Sequence, residues 1–145
     1  MKIGMSQGAA IKLAATPMTA NEVSRHIITA AMKVHSALGP GLLESAYEAC
    51  LAHELRKIGL RVEIQVGLPV VYDGIKLDLG YRIDMLVNDL VVVELKSVEE
   101  ISRVHVAQVL SYMKLSKKQL GLTINFNVLR LKDGIKRLVE GTGWK

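Results

Sequence analysis

The chain has 145 residues, half of them apolar, and a formal net charge of +5 at neutral pH. That length suits one domain with a substantial hydrophobic core, which needs no disulfides for stability. The single cysteine, Cys50, cannot form an intramolecular disulfide and has no cysteine or histidine cluster around it, so a zinc site is not expected. No apolar run reaches the roughly 18 residues of a membrane-spanning helix, and we expect a soluble, cytoplasmic protein.

Positive charge is concentrated in the last third of the chain. Residues 1–95 hold 9 basic and 10 acidic residues, whereas residues 96–145 hold 10 basic and 4 acidic residues. Such an excess suits a phosphate-contacting surface, and a solvated basic face has the same composition. The basic residues of this part include Arg103, Lys114, Lys117, Lys118, Arg130, Lys132, Lys136 and Arg137.

The amino-terminal part predicts an arm and a helix. Residues 1–18 are small, polar and aperiodic, so we expect a poorly ordered arm before a single domain over residues 19–145. Apolar residues at helical spacing predict a first helix from about Asn21, as a possible N-cap, to Leu38.

The next part of the chain predicts a second helix followed by strands. Gly39-Pro40-Gly41 ends the first helix, and a second apolar stripe predicts a helix over about 43–58. The period then changes to two over residues 62–66, which predicts a strand. Residues 69–72 and the turn residues Asp73-Gly74 predict a hairpin.

The carboxyl-terminal half alternates strands with one more helix. That helix is predicted from Ser102 to Leu115. Strands are predicted around 80–87, 90–96, 120–126 and 128–132, whereas 134–140 is too short to assign. This order predicts an α/β or α+β fold in which helices pack against a sheet.

Charged residues enter a strand that is otherwise apolar. Residues 90–93 read Leu-Val-Val-Val, and Glu94 and Lys96 follow where a buried strand would continue. An unpaired buried charge costs several kcal/mol, so such positions require a compensating metal or partner. Together with Asp84, these side chains suggest a hard-cation site that acts on phosphate.

The register of two strands decides whether these groups meet. Glu94 and Lys96 share a face by the two-residue period. Asp84 joins them only in one register. A two-residue turn would pair it with Val93, whereas a three-residue loop over 88–90 or a bulge would set it opposite Glu94. The functional hypothesis therefore predicts an odd loop length or a bulged strand.

Three acids lie on the second predicted helix. Glu44 borders the apolar face, so its carboxylate can reach the sheet, whereas Glu48 points further toward solvent. Glu54 lies about 15 Å along the helix from Glu44, too far to share a metal with it. We expect Glu54 to be a structural acid that pairs with an arginine, and Arg82 is the candidate.

A polar stripe runs along the third predicted helix. His105, Gln108 and Tyr112 fall at spacings of three and four beside the apolar face. They form either part of a site or a polar flank with a half-buried tyrosine, and for His105 the polar flank is favoured.

Several stretches resemble the GxxExxY family, a branch of the PD-(D/E)XK nuclease superfamily. The naming motif reads Gly41-Leu42-Leu43-Glu44-Ser45-Ala46-Tyr47. Ile83 stands where the superfamily motif has proline, which bears on strand geometry more than on ligand chemistry. The resemblance covers about 21–139 and also rests on the stretches 68–74, 80–84, 93–96, 105–112 and 121–126.

The resemblance implies a restriction-endonuclease-like core, with a mixed central sheet flanked by helices, and roles for six side chains. The metal-binding places of the superfamily correspond to Glu44, Asp84 and Glu94. Its catalytic lysine corresponds to Lys96, and the helix motif of its exonuclease-like members corresponds to Gln108 and Tyr112.

The expected cofactor is Mg²⁺ or Mn²⁺, because carboxylate oxygens favour these ions. Asp84 and Glu94 supply the carboxylates, the backbone carbonyl of Leu95 completes the site, and Glu44 binds a second ion or holds a water. Lys96 has two open roles: its ammonium could stabilise charge on the phosphorane, or its amine could act as a base.

Three interpretations of function stay open. The chain is a metal-dependent nuclease for DNA or another nucleic acid, a catalytically silent nucleic-acid-binding or assembly module, or a protein with an internal ion-pair network at this position. A homodimer is expected by symmetry, since a second copy allows both strands to be cut. Few aromatic residues are present, so we expect contact with backbone phosphates. The predicted contacts are Arg103, His105, Lys114, Lys117 and Lys118.

Overall fold

The computed structural model describes residues 17–141, so residues 1–16 of the predicted arm lie outside the described residues. The helices are α1 (Ala20–Leu38), α2 (Glu44–Lys57) and α3 (Arg103–Ser116). No helix in the described range is long and apolar enough to cross a membrane. The strands are β1 (Val62–Gly67), β2 (Val70–Tyr72), β3 (Ile75–Leu77), β4 (Arg82–Val87), β5 (Val91–Lys96), β6 (Leu120–Asn125) and β7 (Ile135–Val139).

Five of these strands form one mixed sheet, in the order β1-β4-β5-β6-β7. Strands β5 and β6 are parallel because α3 carries the chain back between them, and the other neighbours are antiparallel. Strands β2 and β3 form a separate hairpin, closed by Asp73 and Gly74 as predicted. The sheet and its flanking helices confirm the predicted α/β (α+β) class.

The central strand β5 is buried on both faces. Val91, Val93 and Leu95 pack in a core cluster with residues of α1 and α2, whereas Val92 packs in a second cluster with Met113 of α3. Alternate residues of a strand point to opposite faces, so the sheet lies between a two-helix layer and α3. Burial on both faces explains the continuous apolar run in the sequence.

The N-cap of helix α1 lies two residues before the predicted one. Thr19, not Asn21, is the N-cap, and its hydroxyl accepts a hydrogen bond from the backbone N–H of Glu22 at 3.2 Å. The Glu22 carboxylate accepts in return from the N–H of Thr19 at 2.9 Å. This reciprocal capping box satisfies two N–H groups, which a cap at Asn21 would leave without partners.

The expected partner of Glu54 is wrong. Its carboxylate lies 2.8 Å from Lys33 of α1 and 3.3 Å from Lys57 of α2, whereas Arg82 is on β4. The hydrogen bond from Lys33 lowers the pKa of Glu54. The acid therefore joins the two helices at their exposed edge, a role that follows from helix pairing rather than from the sheet.

The predicted strand over 128–132 is also wrong. Residues 126–130 are irregular, Leu131–Gly134 is a 3₁₀ helix, and the strand that follows is Ile135–Val139. The apolar residues of the predicted strand do reach the core: Leu131 is buried, and Val128 packs against the cluster. Burial therefore accounts for the pattern, without the backbone pairing that makes a strand.

Candidate active site

The loop between β4 and β5 has three residues, as the functional hypothesis required. Val87 pairs with Val91, and Met85 pairs with Val93. Continuing this register by one residue places Asp84 opposite Glu94. The predicted odd loop length over 88–90 is therefore confirmed, and no bulge in β5 is needed.

The carboxylates of Asp84 and Glu94 bind backbone groups across the strand pair. Glu94 Oε2 accepts a hydrogen bond from the N–H of Asp84 at 2.8 Å. Asp84 Oδ2 accepts one from the N–H of Leu95 at 2.9 Å. Each acid is thus held by the backbone of the neighbouring strand, which fixes both side chains on rigid elements.

Glu94 is an unusual acid because it is almost fully buried. Its exposed fraction is 2%, and no lysine or arginine forms a salt bridge with it within residues 17–141. Burial, followed by the negative charge of Asp84, raises the pKa of Glu94 to about 8. Two neighbouring carboxylates that resist joint ionisation are a setting in which a divalent cation binds favourably.

Lys96 is held by the polar stripe of α3. Its Nζ donates a hydrogen bond to Gln108 Oε1 at 3.0 Å, and Gln108 Nε2 donates to the Tyr112 hydroxyl at 3.3 Å. Burial is the main cause that raises the pKa of Tyr112. Gln108 therefore contacts the strand residue that the resemblance identifies as catalytic, and Tyr112 is linked to that residue only through Gln108.

The third member of the stripe, His105, has a local partner. Its Nδ1 accepts a hydrogen bond from the N–H of Ser102 at 3.0 Å, while the Ser102 hydroxyl accepts from the N–H of His105 at 3.2 Å. His105 thus completes the capping box of α3. Its proposed contact with nucleic acid stays a prediction.

A cavity of about 730 Å³ lies beside the two strand acids. Asp84 lines it together with the amino end of α2, whereas Glu94 and Lys96 are not among its lining residues. Asp84 is therefore the acid of the strand pair that a ligand in this cavity meets first. The lining residues are Gly41, Leu42, Leu43, Glu44, Ser45, Glu48, Gln65, Asp84, Leu95, Ser97 and Asn127.

The turn before α2 is held by the tyrosine of the Gly41–Tyr47 motif. The Tyr47 hydroxyl donates to the carbonyl of Gly39 at 2.6 Å and accepts from the N–H of Leu42 at 3.1 Å. Its buried ring stacks on Phe126 with centroids 4.3 Å apart. Tyr47 therefore fixes the chain just before Glu44 and positions the amino end of α2 beside the cavity.

The orientation of Glu48 was predicted wrongly. Glu48 is half-buried and lines the cavity, whereas Glu44, which also lines it, is exposed. Glu48 Oε2 accepts a hydrogen bond from Gln65 Nε2 at 2.8 Å. Burial is the largest cause that raises the pKa of Glu48, and the charge of Asp84 adds to it. The spacing of apolar residues along the helix did not predict this orientation of Glu48, because it contains no information on β1, which packs against this side of α2.

Gln65 is a site residue that the sequence analysis missed. It lies between Ile64 and Val66, which pair with Met85 and Ile83, so it faces Asp84 across the strands. Its Nε2 lies 3.4 Å from Asp84 Oδ1 and also bonds Glu48. The available signal was a polar residue between two alternating apolar positions of β1.

The lysines predicted to bind phosphate lie away from these acids. Lys118 pairs with Asp89 at 2.9 Å, in the loop at the other end of β5. Lys114 and Lys117 lie in the last turn and at the C-cap of α3. Lys117 is nine residues beyond Gln108, which is about 14 Å along a helix. The structure thus does not bring these lysines to the carboxylates, whereas Arg103 and His105 begin α3 at the near end.

The donor set suits Mg²⁺ or Mn²⁺ better than zinc. No group of three or more His, Cys, Asp or Glu side chains that could hold a metal occurs within residues 17–141. Mg²⁺ commonly takes only one or two protein carboxylates and keeps several waters. Asp84 and Glu94 with the carbonyl of Leu95 match that requirement in chemistry, and their mutual repulsion supplies a reason for a cation to bind.

The comparison with known protein families agrees with this site. A model of the PD-(D/E)XK nuclease superfamily matches residues 21–138. No curated protein and no solved structure matches the chain. Because the match covers most of its length, the chain belongs to the PD-(D/E)XK nuclease superfamily, and its fold is restriction-endonuclease-like. Members are usually nucleases, and they typically use divalent metals such as Mg²⁺.

Proposed function

From this membership, we propose that the protein is a Mg²⁺- or Mn²⁺-dependent nuclease of the GxxExxY branch that hydrolyses phosphodiester bonds of DNA. The observation that carries the proposal is the pair of Asp84 and Glu94, two acids fixed by reciprocal backbone hydrogen bonds, with one of them facing a cavity. All the residues proposed for this activity lie within the proposed domain over residues 19–145.

Asp84, Glu94 and the carbonyl of Leu95 would hold the cation. When bound, the ion neutralises charge on a phosphate oxygen and makes hydroxide available near neutral pH. The two acids remain ionised beside a dication, since its charge outweighs their mutual repulsion. The cavity gives the scissile phosphate access to Asp84 from the side of α2.

Lys96 acts as an ammonium that stabilises negative charge on the phosphate. It donates a hydrogen bond to the amide oxygen of Gln108, which fixes Nζ in place before substrate arrives. A preorganised donor of this kind stabilises the transition state without reorganisation during the reaction. Gln108 and Tyr112 are positioning residues that support Lys96 from α3.

The substrate is nucleic acid, and a homodimer would let two sites cut both strands of a duplex. The net charge of +5 favours association with a polyanion. The amino end of α2 lines the cavity, and the partial positive charge of a helix amino terminus favours phosphate there.

Cleavage of linear and plasmid DNA by the purified protein tests the proposal. With Mg²⁺ or Mn²⁺ we expect cleavage that EDTA abolishes. Glu94→Gln and Lys96→Met should lower the cleavage rate by about 100-fold or more, the scale for loss of one preorganised charge. Glu99→Gln and Lys76→Met, which make the same chemical changes at exposed positions, should leave the rate unchanged.

Two outcomes would contradict the proposal. Cleavage that persists in Glu94→Gln would come from another site or from a contaminating enzyme. If the wild-type protein binds DNA but does not cleave it with either Mg²⁺ or Mn²⁺, the catalytically silent module would be favoured instead.

A further inference from the structure

The segment Asn127–Lys132, here called the Leu129 loop, lies at the same end of the sheet as the carboxylates. It follows β6, whose neighbour β5 ends at Lys96, and the N–H of Phe126 donates to the carbonyl of Lys96 at 3.0 Å. Asn127 lines the cavity that contains Asp84. Leu129 is two residues further along, so its Cα lies within about 8 Å of that of Asn127.

The Leu129 loop is held firmly although residues 127–130 are irregular. His35 Nε2 donates to the carbonyl of Val128 at 2.7 Å, and Asn127 Nδ2 donates to the carbonyl of Val98 at 3.4 Å. Val128 packs against the core, and Leu131 is buried. Leu129 lies between these two anchors, so its backbone has little freedom to fold the side chain inward.

The side chain of Leu129 is nevertheless exposed to solvent. It is 89% exposed, more than any other large hydrophobic residue of the described range. Single exposed apolar residues are common, but this one is fixed by buried neighbours and lies two residues from Asn127, which lines the cavity. Leu43, which lines the same cavity, is 77% exposed. An exposed apolar side chain therefore lies in the cavity wall at Leu43, and another lies close to Asn127 in the sequence at Leu129.

Three exposed basic residues lie on the Leu129 loop and on the strand β7 that follows it. Arg130, Lys132 and Lys136 are exposed, and none forms a salt bridge with a residue in the range 17–141. Lys136 pairs with Thr123, which pairs with Glu94, so two strand spacings, about 10 Å, separate its backbone from that of Glu94.

Building on the proposed nuclease function, we propose that the Leu129 loop binds nucleic acid beside the Asp84–Glu94 site. Leu129 packs against a base that is partly unstacked, and Arg130 and Lys132 bind the phosphates on either side. Apolar side chains are known to enter base steps in this way, while arginine and lysine neutralise the backbone. The contact would hold the backbone against the cavity, where Asp84 is reached.

In this proposal the phosphates are bound by the Leu129 loop and not by the cluster formed by Lys114, Lys117 and Lys118. Lys118 is already paired with Asp89, and that loop lies more than about 10 Å from Glu94 along β5. The two clusters therefore lie at opposite ends of the sheet, and a charge change of the same size can be made in each. That arrangement supplies a matched control.

The test is binding of a short DNA duplex, followed by fluorescence anisotropy in Ca²⁺ without Mg²⁺ or Mn²⁺. The double variant Arg130→Gln/Lys132→Gln should lower the slope of log affinity against log salt by about 1.8, the value for two lost phosphate contacts. The double variant Lys114→Gln/Lys117→Gln should leave the slope at the wild-type value.

The apolar contact needs a different readout. Leu129→Ala should weaken binding about fivefold to tenfold, from the loss of buried methyl groups, and leave the salt slope unchanged. A 2-aminopurine base in the duplex should brighten when wild-type protein binds and stay dim with Leu129→Ala. Ile58→Ala, a change of an exposed residue at the other end of α2, should behave like wild type.

Each result separates this inference from the nuclease proposal. Wild-type slopes and brightening in both loop variants, in a protein that cleaves DNA, would overturn the inference and leave the nuclease intact. If only Lys114→Gln/Lys117→Gln lowered the slope of log affinity against log salt, the binding surface would lie at the opposite end of the sheet. A wild-type protein that neither binds nor cleaves nucleic acid would overturn both.

Discussion

Glu94 accepts a hydrogen bond from the backbone N–H of Asp84, and Asp84 accepts one from the N–H that follows Glu94. The two acids are thereby fixed next to each other by the strands that carry them. One of them is buried, and its pKa is raised to about 8 by that burial and by its neighbour's charge. The pair is strained electrostatically until a cation or a proton arrives, and this governs how the protein should respond to pH and to metals.

The stability of the metal-free protein should depend on protonation of Glu94. Its pKa is about 8 in the folded protein and near its ordinary value of 4.5 in the unfolded chain, so the folded state holds an extra proton between these two pH values. The stabilising contribution is complete below about pH 4.5 and is lost as pH rises through about 8. Urea unfolding in EDTA at several pH values measures this loss.

Glu94→Gln is the matched control for that pH dependence, because glutamine keeps the shape and cannot ionise. The difference in unfolding free energy between the variant and the wild type should grow in favour of the variant from pH 5 to pH 9. One pKa unit corresponds to about 1.4 kcal/mol, so the total change is on the order of a few kcal/mol. Parallel curves for the two proteins would show that Glu94 ionises normally.

Glu48 should contribute more to metal binding than Glu44. Glu48 is half-buried and linked to Asp84 through Gln65, whereas Glu44 is exposed at the first turn of α2. Calorimetric titration with Mn²⁺ should give a dissociation constant about tenfold weaker for Glu48→Gln, the scale for loss of an outer-shell partner. Glu44→Gln is the paired control and should bind nearly as the wild type does. A larger loss for Glu44→Gln would restore the assignment that the family resemblance implies.

Removal of the Tyr47 hydroxyl should destabilise the turn before α2. Tyr47→Phe leaves the carbonyl of Gly39 and the N–H of Leu42 without their partner, while the stacking on Phe126 is kept. A hydrogen bond contributes about 0.5–1.5 kcal/mol, and water can reach the backbone at Leu42, which is 42% exposed, so we expect a loss of about 1 kcal/mol in urea unfolding. Tyr72→Phe, at a residue that is 73% exposed, should change stability by less than about 0.5 kcal/mol. Equal effects of the two variants would contradict the role of the hydroxyl.

Gln108 should affect turnover through Lys96. Gln108→Leu removes the acceptor of the Lys96 Nζ hydrogen bond, so the ammonium loses its fixed position. We expect kcat for DNA cleavage to fall by about tenfold, less than the loss on Lys96→Met, with little change in Mn²⁺ affinity. Gln119→Leu, at an exposed position before β6, is the control. If Gln108→Leu weakened Mn²⁺ binding as much as turnover, its role would be in holding the acids instead.

The sequence predicted the parts of this molecule that local rules determine. Two-residue periodicity placed Glu94 and Lys96 on one face of their strand, and the spacing of Gln108 and Tyr112 placed both on one side of α3. These relationships depend on strand and helix geometry over short distances, so they were accessible without any coordinates. The register that sets Asp84 opposite Glu94 depended on the length of the loop over 88–90, which the sequence pattern left open.

Other features depended on packing between distant segments. The orientation of Glu48 and the role of Gln65 arise because β1 packs beside α2, and no single-helix pattern contains that information. The apolar residues of 128–132 predicted a strand, but Val128 and Leu131 are buried by an irregular segment and a 3₁₀ helix. Lys114 and Lys117 were predicted to contact phosphate because basic residues are numerous in this part of the chain. Their position at the carboxyl end of α3 separates them from the carboxylates.

Crystals of the protein soaked with Mn²⁺, and measured for anomalous scattering, test the metal assignment most directly. The arrangement of the acids predicts a peak within coordination distance of carboxylate oxygens of both Asp84 and Glu94, and its loss in crystals of Glu94→Gln. A map without a peak at this pair, or with Mn²⁺ bound only elsewhere, would contradict the proposed metal site.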